Sequence, residues 1–348
     1  MAQKFSKMFK PGADGQDSIG MRVLKILYIV LFATSALIVL AYVFFTFGIR
    51  TPTVDDPPVT TSPGQTIVDN VGEDKDKDKV EEPVVLERRE QVYTCLIFGL
   101  DAGNGNTDTI MVATFDVPNK TIGLMSIPRD TVVSEEYSIA FNKVNGVYAR
   151  DRVDGLKEEV SELLGIPIDY YVKVRLSAFE KLVNAIGGVW FDVPIDMNYD
   201  DPTQNLSIHL QKGYQLLNGE QAMGLVRYRQ DNNNEGYGDI GRAGTQQKFM
   251  KAMLSQVLSN ASLDTIPDLV DILLNYVETD AGINDMLYFG RAALGVDLNN
   301  ALSMKTLPSQ WHYPYMWVES EKALEVINQL LNPYTTEITE EMVEFLAQ

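Results

Sequence analysis

The sequence predicts an α/β fold in which helices cover both faces of a central mixed β-sheet. Short apolar or alternating runs with the period of strands, such as VYTCLIFGL from Val92 and TIMVATFDV from Thr109, begin after residue 91. Segments with helical periodicity lie among them, and DGLKEEVSELLG, with Gly165 at its end, is the clearest. An uncharged apolar segment at 26–47 predicts one transmembrane helix ahead of this fold.

Composition limits the classes of function. The chain has 348 residues, of which 45% are hydrophobic, and this content excludes wholesale disorder. Its formal net charge of −19 works against nonspecific binding to nucleic acid or to an anionic membrane surface. The single cysteine, Cys95, excludes an intrachain disulfide and a thiolate zinc site, and we expect it in the core. A phosphate ligand would therefore need a local basic cluster.

The charges that flank the apolar segment predict its orientation. Five basic residues precede it, whereas only Arg50 follows it before Asp55. The positive-inside rule therefore places 1–25 in the cytoplasm and the chain after about residue 50 outside. A cleaved signal peptide is the alternative, but the apolar core is long and its end offers a poor small-residue cleavage site. The basic residues are Lys4, Lys7, Lys10, Arg22 and Lys25.

A tether follows the membrane segment. Residues 48–90 contain TPTVDDPPVTTSPGQT, rich in proline and threonine, and the charge run EDKDKDKVEE. Such a composition has little apolar surface to bury, so we expect a solvated linker between membrane and domain. The alternative is an interaction tail.

The remaining elements of the domain follow in chain order. KTIGLMSIP, DYYVKVR and VWFDVP have the character of strands. Ser177 and Glu180 stand three residues apart and predict a capping box that opens a helix, which Gly187 and Gly188 close.

The last third of the chain is dominated by helical patterns. PDLVDILLNYV, INDMLYFGRAALG and EKALEVINQLL predict helices, with one strand near Ala301–Leu307. We therefore expect a catalytic domain at 91–260 and a C-terminal helical extension at 261–348 packed on it.

Two segments carry polar residues that neither packing in the core nor ordinary surface solvation explains. In FGLDAGNGNTDTIMV, Asp101 and Asp108 stand at the two ends of a loop rich in glycine and asparagine. A tight loop could bring both carboxylates to one hard cation, although Asx residues are also common in plain turns. In SIPRDT, Arg129 follows a strand and a proline, with Asp130 beside it as a candidate helix cap.

Two further segments supply basic residues. VRYR predicts a strand with Arg227 and Arg229 on one face, where they repel each other unless an anion or solvent lies between them. An exposed edge strand is the plain alternative. DIGRAGTQQ predicts a helix start with Arg242 and Gln246 on one face, at an end that favours anions. Lys143, in FNKVNGVY, can join them. Paired aspartates and grouped arginines are what a Mg²⁺–pyrophosphate site requires.

These segments, in this order behind an N-terminal anchor, resemble the LytR-CpsA-Psr family over roughly 92–260. No single motif is specific, but the ordered set is. The set consists of LDAGNGNTDTIMV, SIPRDT, NKVNGVY, DYYVKV, LVNAIGGVWFDV, LNGEQAMGLVRYR and DIGRAGTQQ. The resemblance implies an α/β domain with an apolar tunnel for a polyprenyl tail. It also implies transfer of a phospho-glycan, such as teichoic acid or capsule polysaccharide, from an undecaprenyl pyrophosphate carrier to a peptidoglycan hydroxyl.

The resemblance also assigns roles to individual residues. Asp101 and Asp108 match metal ligands for Mg²⁺, and we expect Asp101 to act as the base and Arg129 as a second catalytic residue. The partners implied are the lipid-linked glycan, peptidoglycan and the cytoplasmic membrane of a Gram-positive bacterium. The positions that match pyrophosphate-binding residues are Arg129, Lys143, Arg227, Arg229, Arg242 and Gln246.

Two departures from the family pattern keep other functions open. Asn106 and Thr245 stand where arginines are usual, and the first change removes an expected phosphate contact. One alternative is a lipid pyrophosphatase that uses water as acceptor, and another is a lipid-binding protein with a lapsed site. A DNA-binding regulator is disfavoured, because the protein is acidic and lacks a basic recognition helix.

Overall fold

The computed structural model describes residues 48–54, 86–100, 105–202, 206–232, 238–260, 271–272, 275–294 and 296–346. The chain divides into two compact units. The described part of the smaller unit comprises 48–52 and Ile283–Phe289, where the Arg50 N–H donates to Asn284 Oδ1 over 3.1 Å. The larger unit holds the fold described below. The predicted transmembrane helix at 26–47 falls outside these ranges, and within them no helix has the length and apolar character needed to cross a bilayer.

The larger unit is built on a six-stranded sheet. Its strands are β1 Val92–Leu100, β2 Thr107–Asp116, β3 Thr121–Ile127, β4 Tyr170–Val174, β9 Val277–Thr279 and β10 Leu302–Thr306. The strand order is β10-β3-β2-β1-β4-β9. Pairing is antiparallel for β1–β2, β2–β3 and β4–β9, and parallel for β1–β4 and β3–β10, so the predicted mixed sheet is confirmed.

Helices lie on both sides of this sheet, as predicted. The helices of the larger unit are α1 Val144–Leu164, α2 Leu176–Ala185, α3 Gly219–Arg227, α4 Gly238–Asn260, α6 Leu298–Ala301 and α7 Ser320–Leu330. Helix α5 Ile283–Ala293 belongs in its first seven residues to the smaller unit. On the first face, Leu96 and Phe98 of β1 are fully buried with Leu156 of α1 and Ile327 of α7. This face holds the largest core of the described residues.

The second face of the sheet is apolar but less completely buried. Met111 and Leu124 pack there with Leu298 and Leu302. Several neighbours on this face are only partly buried, and Leu254 of α4 is among them. The partly buried neighbours are Ile97, Ala113, Ile122, Leu254, Ala301 and Met304.

Three antiparallel pairs of strands complete the described part of the unit. They are β5 Val189–Val193 with β8 Gly213–Leu217, β6 Met197–Asp201 with β7 Leu206–Leu210, and β11 Ser309–His312 with β12 Tyr315–Val318. The first two pairs share a separate core with α2, α3 and α4, in which Phe191, Leu217, Leu225 and Phe249 are buried.

Two local predictions are wrong. VRYR is not a strand, because α3 continues to Arg227 and the buried Tyr228 follows as its C-cap. Asn218 starts that helix with a capping box to Gln221, which overrides the strand-like alternation. Ser177 is not the N-cap that was predicted, since α2 begins at Leu176 with Arg175 as its N-cap.

Segments outside the predicted catalytic range take part in the fold of the larger unit. The predicted strand near Ala301–Leu307 is β10, and β9 is a second, unforeseen strand of the same sheet. At the other end, Arg88 of the predicted linker pairs with Asp169, and the Arg89 N–H donates to Pro333 O over 2.9 Å. Residues 86–90 and the segments 277–279 and 302–306 are therefore integral to the fold.

Gly123 permits the close approach of α7 to the sheet, which gives a test of the packing. A Cβ at this position would lie 1.9 Å from Leu330 O, a backbone atom that cannot rotate away. We expect Gly123→Ala to lower the free energy of unfolding by about 3 kcal/mol, because the helix must shift. Gly290→Ala, where a Cβ meets open space in α5, should be neutral or stabilising by up to about 1 kcal/mol. Chemical denaturation of both variants checks this, and equal stabilities would contradict the packing.

The Cys95 thiol should make the free energy of unfolding fall at alkaline pH. Burial raises the pKa of its thiol from 9.0 to about 12, with Asp280 and Asp169 adding to the shift. The folded state holds this proton more tightly than the unfolded chain, so its contribution is complete below about pH 9 and is lost as pH rises toward 12. We expect the free energy of unfolding to decline less steeply over this range in Cys95→Ala than in the native chain. Equal slopes of the free energy of unfolding against pH in the two proteins would show that the Cys95 thiol does not cause this loss of stability.

Candidate functional site

One edge of the sheet collects the predicted site segments. The carboxyl ends of the parallel strands β1, β3, β4 and β10 lie at this edge, with the amino end of antiparallel β2. Ligands of open α/β sheets commonly bind outside the carboxyl ends of strands. The loops that carry the two aspartates and SIPRDT leave from this edge, which makes it the candidate site.

The β1–β2 end carries the predicted metal ligands. Gly99 pairs with Thr109 and Leu100 with Thr107, so Asp108 is the extra residue of a β-bulge. Bulges re-aim side chains and are frequent beside active sites. Asp101 follows Leu100 directly in the sequence but is not among the described residues, nor is the side chain of Asp108.

The connectivity fits a hard cation held by two carboxylates, because both aspartates adjoin the paired residues Leu100 and Thr107. The positions that the structure covers contain no group of three or more acidic, histidine or cysteine side chains able to hold a metal.

A tight turn after β3 presents Arg129. The Thr131 N–H and Oγ1 both bond to Pro128 O, over 2.9 and 2.7 Å, which closes the turn. The Arg129 side chain is exposed, and its Nε lies 3.6 Å from Asp130 Oδ2. The guanidinium is therefore accessible to a ligand at this edge.

Lys143 lies beside the same turn, at the N-cap of α1. Its Nζ donates to Asp130 Oδ1 over 2.8 Å. The Asn145 N–H donates to Arg129 O over 3.2 Å, and Thr107 Oγ1 donates to Asn145 O over 3.3 Å. The first turn of α1 thus joins the Arg129 turn to the start of β2, so hydrogen bonds fix the backbone of Arg129 and the N-cap Lys143 relative to Thr107.

Helix α4 links the remaining predicted residues to this edge. Gln246 Nε2 donates to Val226 O over 2.7 Å, and this ties α4 to the end of α3 beside Arg227. Gln247 Nε2 donates to Thr306 Oγ1 over 2.9 Å, at the last residue of β10. The Gln246 amide nitrogen thus makes a structural bond where the resemblance implies a pyrophosphate contact.

The other arginines occupy different settings. Arg227 is the last residue of α3, and Arg229 is exposed beyond the buried Tyr228. Arg242 lies in the N-terminal part of α4, and its side chain falls outside the described residues. The structure therefore brings Arg129 and Lys143 together and connects the end of α3 to the same edge through α4.

Two residues near this edge were not assigned to the site by the sequence analysis. Asp130 is an ion-pair partner of both Arg129 and Lys143 instead of a helix cap. Lys173, near the carboxyl end of β4, donates to Tyr148 Oη and to Glu278 Oε2, each over 2.9 Å. Burial opposes its charge, but the bonds with Tyr148 and Glu278 raise the pKa of Lys173 above its usual value. A lysine inside an otherwise apolar strand was the available signal.

Asp130 offers a test of the electrostatics of the site. A carboxylate paired with Arg129 and Lys143 opposes an incoming anion, so Asp130→Asn should bind inorganic pyrophosphate about fivefold more tightly, an effect of about 1 kcal/mol. Calorimetric titration at two ionic strengths measures it, because screening by salt should shrink the difference. An unchanged or weaker affinity would place the anion elsewhere.

Comparisons with known proteins agree with this architecture. Residues 60–333 match the model of the LytR_cpsA_psr family. The polyisoprenyl-teichoic acid–peptidoglycan teichoic acid transferase TagV of Bacillus subtilis is 30% identical over 211 residues, which are 58% of this chain and 53% of that protein. The corresponding transferase TagU of Bacillus licheniformis is 27% identical over 222 residues, 63% of this chain and 70% of that protein.

The fold is also shared with a solved structure. The crystal structure of B. subtilis TagV matches with a TM-score of 0.56 and 26% identity, covering 69% of this chain and 96% of that chain. The chain spans about half the length of the first curated relatives it matches.

Proposed function

Because the chain belongs to the LytR-CpsA-Psr family, we propose that it transfers a glycopolymer with its phosphate from a polyisoprenyl pyrophosphate carrier to peptidoglycan. The observation that carries the proposal is the common frame of Arg129, Lys143 and the β1–β2 end. The names of TagV and TagU support it, since both are called polyisoprenyl-teichoic acid–peptidoglycan teichoic acid transferases.

We propose that the domain works outside the cytoplasmic membrane, anchored by the apolar segment at 26–47. No ATP is available there, so the free energy of transfer must already reside in the substrate. A pyrophosphate-linked lipid such as undecaprenyl pyrophosphate carries that energy. The acidic chain with a local basic group at one sheet edge is suited to such a ligand.

The second face of the sheet is our candidate for holding the lipid tail. Ile97, Ala113 and Met304 are only partly buried there, beside Leu254 of α4. Partly buried apolar side chains under a helix leave surface that an isoprenoid chain can cover. α4 also reaches the end of β10 through Gln247, so this face adjoins the candidate site.

Each residue of the site has a separate role in an in-line displacement at phosphorus. Arg129 binds phosphate oxygens through its planar fork, Lys143 adds a point charge, and Arg227, Arg229 and Arg242 extend the basic group. An acceptor hydroxyl oxygen forms a bond to the glycan-bearing phosphorus, and its proton passes to Asp101. The bond from that phosphorus to the bridging oxygen breaks, and polyisoprenyl phosphate leaves with the electron pair. Mg²⁺ held by Asp101 and Asp108 would neutralise charge on the two phosphates.

Product analysis tests the proposal against its rivals. The full chain in detergent is incubated with a synthetic polyisoprenyl pyrophosphate glycan, with and without peptidoglycan oligomers. Transfer predicts that released lipid phosphate matches glycan-modified acceptor and depends on it. Release at the same rate without acceptor would identify a pyrophosphatase. Binding without release would identify a lapsed site, and Asn106→Arg would then be the variant to examine.

A further inference from the structure

We infer that five exposed apolar side chains beside the candidate site form a surface that docks on the outer face of the lipid bilayer. This inference rests on the proposed function, because its occupant is the membrane that holds the lipid carrier. The side chains are between 40% and 86% exposed. We call them the apolar rim: Tyr137, Ile139, Phe141, Trp311 and Tyr313.

Both halves of the rim leave the sheet at the edge of the candidate site. The first half lies in the segment 134–141, between the turn that follows β3 and the start of α1. The second half lies at the tip of the β11–β12 hairpin, which follows β10 after Leu307 and Pro308. Since β3 and β10 are parallel neighbours, both segments start at the same corner of the sheet.

Hydrogen bonds fasten the two halves together. The buried Asn142 accepts from the Tyr137 N–H over 2.8 Å and donates to Tyr315 Oη over 3.2 Å. The Met316 N–H donates to Asp130 O over 2.9 Å, and Asp130 is the carboxylate that holds Lys143. The rim is therefore fixed in position relative to the residues proposed to bind pyrophosphate.

The chemistry of the rim fits a bilayer interface. Contiguous exposed apolar side chains on a folded domain mark interaction surfaces, and tryptophan and tyrosine favour the headgroup level of membranes. The carrier presents its pyrophosphate at that level, so the site must approach it closely. The sequence of 55–85 has the composition of a flexible tether, and about 30 residues can span up to roughly 100 Å, which lets the site edge reach the surface.

The charges near the rim are mixed. The Arg150 guanidinium lies 4.1 Å from the centre of the Tyr137 ring and Arg129 is exposed, but Glu135 and Glu136 are exposed in the same segment. The rim should therefore bind through apolar contact, with little dependence on the fraction of anionic lipid.

Tryptophan fluorescence provides a matched experiment. Trp311 and Trp190 are similarly exposed, 54% and 49%, but Trp190 lies on the β5–β8 pair. The full chain is placed in phosphatidylcholine nanodiscs with lipids brominated near the headgroup. A W190F/W317F variant reports on Trp311, and a W311F/W317F variant reports on Trp190. We expect about twofold quenching of Trp311 and little quenching of Trp190. No quenching of Trp311, or equal quenching of both, would overturn the inference.

An activity comparison separates this inference from the proposed function. Ile139→Ser combined with Tyr313→Ser should leave turnover in detergent unchanged and reduce turnover of carrier embedded in vesicles about tenfold. Tyr214→Ser combined with Leu216→Ser, also exposed, should change neither. Equal losses in detergent and vesicles would make the rim part of the substrate site and overturn docking. No turnover by the native chain in either system would contradict the proposed function alone, since quenching is measured without substrate.

Discussion

Replacing Arg129 with alanine is expected to lower kcat/KM for transfer about 100-fold. Removing one hydrogen-bond donor from a site that stabilises developing negative charge typically lowers kcat about 100- to 1,000-fold. Arg129 is placed for this role by the closed turn after β3, and its backbone oxygen accepts from Asn145 in α1. Its exposed side chain contributes little to packing, so the free energy of unfolding should change by no more than about 0.5 kcal/mol.

Arg129→Lys is the graded variant for this prediction. Lysine keeps the charge but lacks the planar fork that binds two phosphate oxygens at once, so it should recover only part of the lost activity. Steady-state kinetics with lipid-linked glycan and peptidoglycan oligomers measure both variants, and thermal unfolding confirms that they are folded. A native kcat/KM in Arg129→Ala would show that Arg129 does not take part in the reaction.

Replacing Asp169 with alanine is expected to have the largest effect on stability. Asp169 and Arg88 have side chains only 4% and 7% exposed, and Asp169 Oδ1 accepts from the Arg88 guanidinium over 2.7 Å. Asp169 Oδ2 also accepts from the Thr94 N–H over 2.7 Å. The substitution would leave a buried guanidinium without its counter-charge and a strand N–H without an acceptor. We expect a loss of about 3–5 kcal/mol in the free energy of unfolding.

Two comparisons show whether burial causes this effect. Asp200→Ala breaks a surface pair with His209 in which both side chains are more than half exposed, and it should cost less than about 1 kcal/mol. Arg88→Met combined with Asp169→Leu removes both buried charges and should recover much of the stability lost in Asp169→Ala. Denaturant titration measures all three variants. A loss below 1 kcal/mol in Asp169→Ala would mean that Arg88 finds water or another partner.

The period of apolar residues was sufficient to predict the main strands and helices. It succeeded where patterns are long, as in β1, β2 and the part of α1 that begins at Asp154, and where one face is buried, as in β5. It failed at VRYR, because an alternating tetrapeptide is too short to compete with the capping box at Asn218 and the buried face of α3. The strand β9 has three residues, too few to show a period, and forms only because β4 offers an open edge.

The candidate site was accessible to sequence reasoning only in part. Motif order placed Arg129 and the aspartate loop at strand ends, which the topology brings to one edge. The pairing of Asp130 with Lys143 and the bond from Gln247 to Thr306 depend on how α1 and α4 pack, and no local pattern encodes that packing. The same holds for Arg88 and Asp169, which are 81 residues apart.

The measurement that tests the central claim most directly quantifies two products in one reaction. The full chain receives polyisoprenyl pyrophosphate glycan, peptidoglycan oligomers and Mg²⁺, and it is compared with Asp101→Ala and with a chelator-treated sample. We predict that the native chain forms polyisoprenyl phosphate and glycan-modified peptidoglycan in equal amounts, and that both products disappear in the variant and with chelator. Undiminished formation of both products by Asp101→Ala would contradict the proposed site and its mechanism.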